Sequence, residues 1–141
     1  MPSGYSGTPQ FKKLGLRPGQ RVCLDGAPDD WSLTDPPDGV IQVDCSEGAD
    51  LIIGFFTSAA DLPVRLPDLT RRIRPAGALW VAWPRRAAGH QSDITDNVIR
   101  DHALPLGVVD VKVAAIDNDW SGLRFVWRQA ARGSAAVSPS P

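Results

Sequence analysis

A chain of 141 residues with 43% apolar and 22% charged residues has the composition of one globular domain, which excludes wholesale disorder. A formal net charge of −1 offers no cationic excess for a polyanion, and no apolar run approaches the roughly 18 to 20 residues of a membrane span. Residues 1–7 hold neither a basic nor a hydrophobic stretch, so no secretory signal is read, no membrane partner is expected, and the expected compartment is the cytoplasm.

Thr8 suits a helix N-cap, Pro9 the first helical position and Gly15 a left-handed residue past the last turn, so a short helix is predicted at 9–14. Phe11 and Leu14 lie three apart and pack inward, leaving Lys12 and Lys13 in water. Pro18-Gly19 turns the chain into a first strand, Arg21–Asp25. Residues 26–39 form a loop with room for a short helical turn near Trp31, and Val40–Asp44 is a second short strand. Asp50–Phe56 is almost unbroken apolar sequence, the pattern of a central strand covered on both faces.

Ser58-Ala59-Ala60-Asp61 has the spacing of a capping box with Asp in place of the usual Glu. Leu62, Leu66, Leu69 and Ile73 follow at helical intervals. Pro63 and Pro67 interrupt them, so a kinked or split helix is expected, with Arg71, Arg72 and Arg74 complementing its dipole. Ala78–Trp83 is the next buried strand, closed by Pro84. A helix opens at 92–96, reaches about His102, and is ended by Pro105 and Gly107. Val109, Val111, Val113 and Ala115 alternate, as do Leu123, Phe125 and Trp127 after a turn, which predicts a β-hairpin. These elements imply an open, mostly parallel α/β sheet of about six strands with an antiparallel C-terminal hairpin edge. They place a flexible start at 1–7, one domain at 8–131 and a disordered tail at 132–141.

Cys23 and Cys45 fall in or beside buried strands, where a thiol behaves as a small hydrophobe; a reduced pair is expected, and spacing alone does not show whether the two could meet. Neither spacing nor a nearby His suggests zinc, and no metal site is assigned. Charge is segregated. From Val22 to Val64 stand nine acidic residues and no Lys or Arg, whereas 65–86 carry Arg65, Arg71, Arg72, Arg74, Arg85 and Arg86 against Asp68 alone. Mutual neutralisation on folding is the plainer account; an acidic rim that repels anions is the functional one. Nucleic acid, which needs a basic face, is not an expected partner.

Leu14-Gly15-Leu16-Arg17-Pro18-Gly19-Gln20-Arg21-Val22 resembles the lead-in to the first strand of class I S-adenosylmethionine-dependent methyltransferases. Ile73–Leu79 resembles the turn before their fifth strand, and the terminal hairpin resembles their antiparallel sixth and seventh strands. The likeness covers most of residues 14–128 and implies a truncated methyltransferase-like Rossmann fold, without specifying function. The chain also resembles a small bacterial family of uncharacterised proteins that begins near Tyr5-Ser6-Gly7-Thr8-Pro9 and carries blocks like Leu79-Trp80-Val81-Ala82-Trp83-Pro84 and Trp120-Ser121-Gly122-Leu123. That resemblance implies no activity and no catalytic residue.

The departures from the methyltransferase pattern bear most on function. Those enzymes follow their first strand with Gly-x-Gly, so that backbone can approach the cofactor. Here the chain reads Asp25-Gly26-Ala27-Pro28-Asp29-Asp30, and the five residues between the second strand and Asp50 are too few for a further helix and strand. A phosphate-bearing dinucleotide would meet carboxylates where it needs amides. Asp117-x-Asp119-x-Ser121-Gly122 resembles half a calcium loop, but its twelfth position is Arg128, and a polar hairpin turn is the better reading. His90 and His102 stand in no recognisable catalytic motif, and neither a Gly-x-Ser-x-Gly elbow nor a His-Glu-x-x-His pair occurs.

The expected ligand edge is the carboxyl ends of the first, third and fourth strands. Candidate binding residues there are Asp25, Gly26, Asp44, Thr57, Ser58, Trp83, Arg85 and Arg86, the last three combining an indole with two guanidinium groups. No catalytic residue and no cofactor is assigned. The leading expectation is a non-catalytic domain that binds a small molecule or a protein on a degenerate methyltransferase scaffold. The alternative is a divergent methyltransferase using S-adenosylmethionine, whose ribose Asp44 would hold. A third is an oligomeric assembly subunit with an exposed patch containing Trp31 or Trp120.

Overall fold

The computed structural model describes residues 9–86, 89 and 91–128. The apolar run of the sequence forms β3 (Ala49–Phe55), parallel on one side to β1 (Arg21–Asp25) and on the other to β4 (Ile73–Pro84). The two-residue β2 (Ile41–Gln42) pairs in parallel with the outer edge of β1. The hairpin of β5 (Val108–Ala115) and β6 (Trp120–Trp127) completes the sheet, β6 lying antiparallel against β4. The strand order is β2-β1-β3-β4-β6-β5. This is the open, mostly parallel six-stranded α/β sheet with an antiparallel edge that the sequence implies.

Strand alternation divides the core between two faces. Cys23, Ile52, Phe56, Leu79, Val81, Leu123 and Phe125 pack under two helices, α2 (Leu62–Arg71) and α3 (Asp96–Ala103). Val22, Leu51, Ile53, Phe55, Ala78, Trp80 and Ala82 line the opposite face. That face is covered by the five-residue α1 (Gln10–Leu14) and by the loop 26–39 through Trp31 and Leu33. The buried Gln10 ties the two covers together, its Oε1 accepting from the Thr34 amide at 2.8 Å. Trp80 is the largest fully buried side chain. Its indole N–H donates to the Leu14 carbonyl at 2.9 Å, and Gly122 makes room for its ring, since a Cβ there would stand 2.7 Å from Trp80 Cε3.

Several expectations are corrected. Pro63 falls in the first turn of α2, where its missing N–H has no helical partner, and Pro67 lies inside a helix that runs from Leu62 to Arg71 without splitting. Arg72 caps that helix and Arg74 belongs to β4. β4 begins at Ile73, not Ala78: Ala49 pairs with Ile73 but Leu51 with Ala78, so 74–77 form a bulge and not the expected turn. Its Gly77 lies against β3, where a Cβ would come 2.7 Å from the Asp50 carbonyl. The second strand is shorter than 40–44, because Asp44 leaves it to cap a 3₁₀ turn, Cys45–Glu47. Ser58 caps the 3₁₀ turn Ala59–Asp61 that leads into α2, without the reciprocal bond from Asp61. The loop 26–39 holds a turn closed by Trp31 N–H to the Pro28 carbonyl at 3.0 Å, but no helix. Thr8, His90 and the tail 132–141 lie outside the described residues.

The cysteines are corrected as well. Cys23 on β1 and Cys45 just past β2 share the helix-side core, with Cα atoms 5.1 Å apart, and are joined in a disulfide. Adjacent parallel strands carry them into bridging range, which their spacing in sequence conceals. The cysteines therefore lend no support to a reducing compartment. Among the described residues, no helix is long and apolar enough to cross a membrane.

Candidate functional site

The chain leaves β1 outward to β2 and then returns to β3 on the other side, so the strand order reverses between the carboxyl ends of β1 and β3. Asp25 ends β1 at this corner. Arg65, one turn into α2, reaches back into it. Its Nε and Nη2 both donate to Asp25 Oδ2, the former at 3.1 Å; Nη2 also donates to the Asp25 carbonyl at 3.2 Å and Nη1 to the Phe55 carbonyl at 2.7 Å. The guanidinium carbon sits 4.0 Å from the centre of the Phe56 ring. Gly26 is required beside it: at φ 74° the chain turns left-handed, and a Cβ would stand 2.9 Å from Arg65 Nη2 and 3.0 Å from the Phe55 carbonyl oxygen. The corner is filled by the protein's own cation.

Asp25, Asp44, Cys45, Arg65, Asp68 and Arg72 line an open groove of ≈ 460 Å³ beside this clasp. Asp44 Oδ1 accepts from the Ser46 amide at 2.8 Å. That bond, then one from the Ser46 side chain, hold the exposed Asp44 carboxyl below its ordinary pKa, with the charge of Arg72 adding to them. Arg72 donates to both carboxylate oxygens of Asp68, at 3.1 and 3.2 Å, and to the Cys45 carbonyl at 3.4 Å. Hydrogen bonds from Arg72 and then Arg71 likewise lower the Asp68 pKa. Two of the groove's carboxylates, Asp25 and Asp68, are thus already paired with guanidinium groups, whereas Asp44 is held by the Ser46 amide.

The other expected residues lie elsewhere along the edge. Thr57 is exposed near Pro84 and Trp120, and Ser58 Oγ accepts from the Ala60 amide at 3.3 Å. Trp83 packs half-buried on the helix-side core. Arg85 donates to the Asn118 carbonyl at 3.0 Å and Arg86 to the Ser92 carbonyl at 3.3 Å. The structure therefore brings Asp25, Gly26 and Asp44 together, and groups Trp83, Arg85 and Arg86 in a separate shallow groove beside Thr95 and Ser121. Arg65 was missed in sequence. Its signal was its place between Leu62, Leu66 and Leu69, on the flank of the apolar stripe that faces the strand ends.

On the opposite face, Trp31 and Trp120 pack edge-on against Phe55, with ring centres at 4.9 and 5.0 Å. The Trp31 indole N–H donates to Asp117 Oδ2 at 2.8 Å, while Asp117 Oδ1 accepts from the Asp119 and Trp120 amides at 2.8 and 2.9 Å. Asp117 thus organises the hairpin turn, as its spacing implies. Trp31 and Trp120, either of which an assembly patch would contain, are each half-buried against the end of β3. His102 occupies the last turn of α3.

This strand order, with its reversal between β1 and β3 and its antiparallel β6 inserted before β5, defines a methyltransferase-like Rossmann fold. Among solved structures the chain is similar to a TehB-like S-adenosylmethionine-dependent methyltransferase from Corynebacterium glutamicum, with a TM-score of 0.53 and 10% identity over 89% of this chain and 91% of that one. It is similar to the Aeropyrum pernix fibrillarin with natively bound S-adenosylmethionine, with a TM-score of 0.52 and 12% identity over 87% and 70% of the two chains. A possible exported protein from Bordetella parapertussis gives a TM-score of 0.53 and 16% identity over 82% of this chain, which spans 64% of that protein's length. No protein-family model and no curated protein matches the sequence. At these identities the likeness establishes the fold alone.

Proposed function

We propose that the chain is a non-catalytic ligand-binding or protein-interaction domain carried on a methyltransferase-like scaffold. The observation that carries this reading is Arg65, bonded to Asp25 and to the Phe55 carbonyl at the corner where such sheets receive a ligand. A bound adenosyl group would have to displace a guanidinium that makes four hydrogen bonds. The exposed Asp29 and Asp30, which follow β1 within five residues of Asp25, keep anions from this edge. Calorimetric titration with S-adenosylmethionine and S-adenosylhomocysteine tests the proposal, and no saturable heat in the micromolar range is the expected result. Micromolar binding that is lost in Asp25→Ala or Asp44→Ala would reverse it.

The second reading, a divergent S-adenosylmethionine-dependent methyltransferase, is favoured by Asp44. It stands exposed just past β2, in one groove with Asp25, and its lowered pKa keeps it ionised and able to accept from a ribose hydroxyl. The cofactor carries a sulfonium and no phosphate, so the carboxylates do not repel it. The same titrations separate the two readings.

A further inference from the structure

On the face of the sheet away from α2, the register sets Arg124 of β6 between Trp80 of β4 and Lys112 of β5. α1 ends directly over it: a Cβ at Gly15 would lie 3.6 Å from Arg124 Nη2. Arg124 Nε is shut off from solvent and has no hydrogen-bond partner among the described residues. Burial, and then the charge of the neighbouring Arg17, push the Arg124 pKa below the ordinary guanidinium value.

Lys12, Lys13, Arg17, Lys112 and Arg124 line one open pocket of ≈ 330 Å³. Among the described residues, Lys12, Arg17, Lys112 and Arg124 form no ion pair with a carboxylate, whereas Arg21, Arg65, Arg71, Arg72, Arg74 and Arg100 all do. The Lys112 ammonium donates to the Lys13 carbonyl at 3.2 Å, which fixes it at the pocket wall without neutralising it. Gathered like charges, one of them desolvated, form an arrangement that an anion completes.

We propose that this pocket binds a small phosphate-bearing ligand, with Arg17 and Arg124 donating to its oxygens. A guanidinium fork matches phosphate geometry, and four unneutralised cations suit a dianion better than a monocarboxylate. Among the described residues, Arg65, Arg72, Arg74 and Arg100 are paired with carboxylates and Arg85 and Arg86 are bonded in a separate groove, so no basic track extends from the pocket to hold a polyanion. The site lies across the sheet from the Arg65 corner and stands independently of the function proposed for it.

Calorimetric titration of the full chain with inorganic phosphate, pyrophosphate, phenyl phosphate and a single-stranded oligonucleotide tests the proposal. The expected result is saturable one-to-one binding of at least one of the three small anions. Arg17→Gln, a change at an exposed position, weakens that binding about tenfold or more, and Arg124→Gln abolishes it. Arg71→Gln, which removes an equal charge from α2, leaves it unchanged. Tighter binding of phenyl phosphate than of the inorganic anions assigns an esterified ligand, and the reverse a free phosphate. The proposal is overturned by no saturable binding of any small anion, by an Arg17→Gln affinity equal to wild type, by equal weakening in Arg71→Gln, or by binding of the oligonucleotide alone.

Discussion

Arg65 does two jobs that a lysine could not combine. Its fork spans a carboxylate on β1 and a main-chain carbonyl on β3, while its plane covers the Phe56 ring. Arg65→Ala would leave the Phe55 carbonyl without this donor and Asp25 without its cation. Hydrogen bonds to charged groups are worth about 1.5–3 kcal/mol, and partial solvent exposure of both side chains discounts them. The expected loss is about 1–3 kcal/mol in urea unfolding, with Arg65→Lys recovering little of it. A second consequence concerns acid. Asp44 and Asp68 both titrate below the ordinary 3.8 in the folded chain, so their contribution is intact above that value and is lost as pH falls through their folded pKa values. The urea midpoint should therefore fall on acidification below about pH 4, and the fall should be shallower in Asp68→Asn.

The elements read most easily from sequence are those in which one periodicity acts alone. The run at 50–56 admits only a buried strand at that length, and the alternations around 109–127 admit only a hairpin. Where two signals overlap, the reading fails. Ile73 continues the helical spacing of Leu62, Leu66 and Leu69, yet it is the first residue of β4, because one buried position serves both the end of α2 and the foot of the sheet. The cysteine pair failed for a different reason, since proximity across β1 and β2 is a property of strand register and not of spacing. Their disulfide fastens the weakest edge of the sheet, where β2 pairs over two residues only. With a sequence separation of 22, its removal by Cys45→Ser should cost about 3 kcal/mol. Urea unfolding of the variant, set against wild type with and without reductant, reads that difference directly.

Across the whole molecule, the acidic stretch 22–64 and the basic stretch 65–86 are partly folded onto one another: Arg65 meets Asp25 and Arg74 meets Asp50. The glycine-poor corner was legible because it is one contiguous segment, Asp25–Asp30. The cationic pocket was not, because Arg17 and Arg124 lie far apart in sequence and meet only where the hairpin returns beside α1. The scale of the fold also bears on whether Arg65 merely covers a working cofactor site. β2 ends at Gln42 and β3 begins at Ala49, so only a short connection separates them, and the wall of the groove beyond Asp44 is a single 3₁₀ turn. Removing the arginine would then expose a shallow, carboxylate-lined notch with little surface to enclose an adenosine. Arg65→Ala, titrated with S-adenosylhomocysteine, should accordingly gain no saturable binding at micromolar ligand. A gain of such binding would mean that the arginine is a displaceable lid over a cofactor site, and the methyltransferase reading would then take precedence.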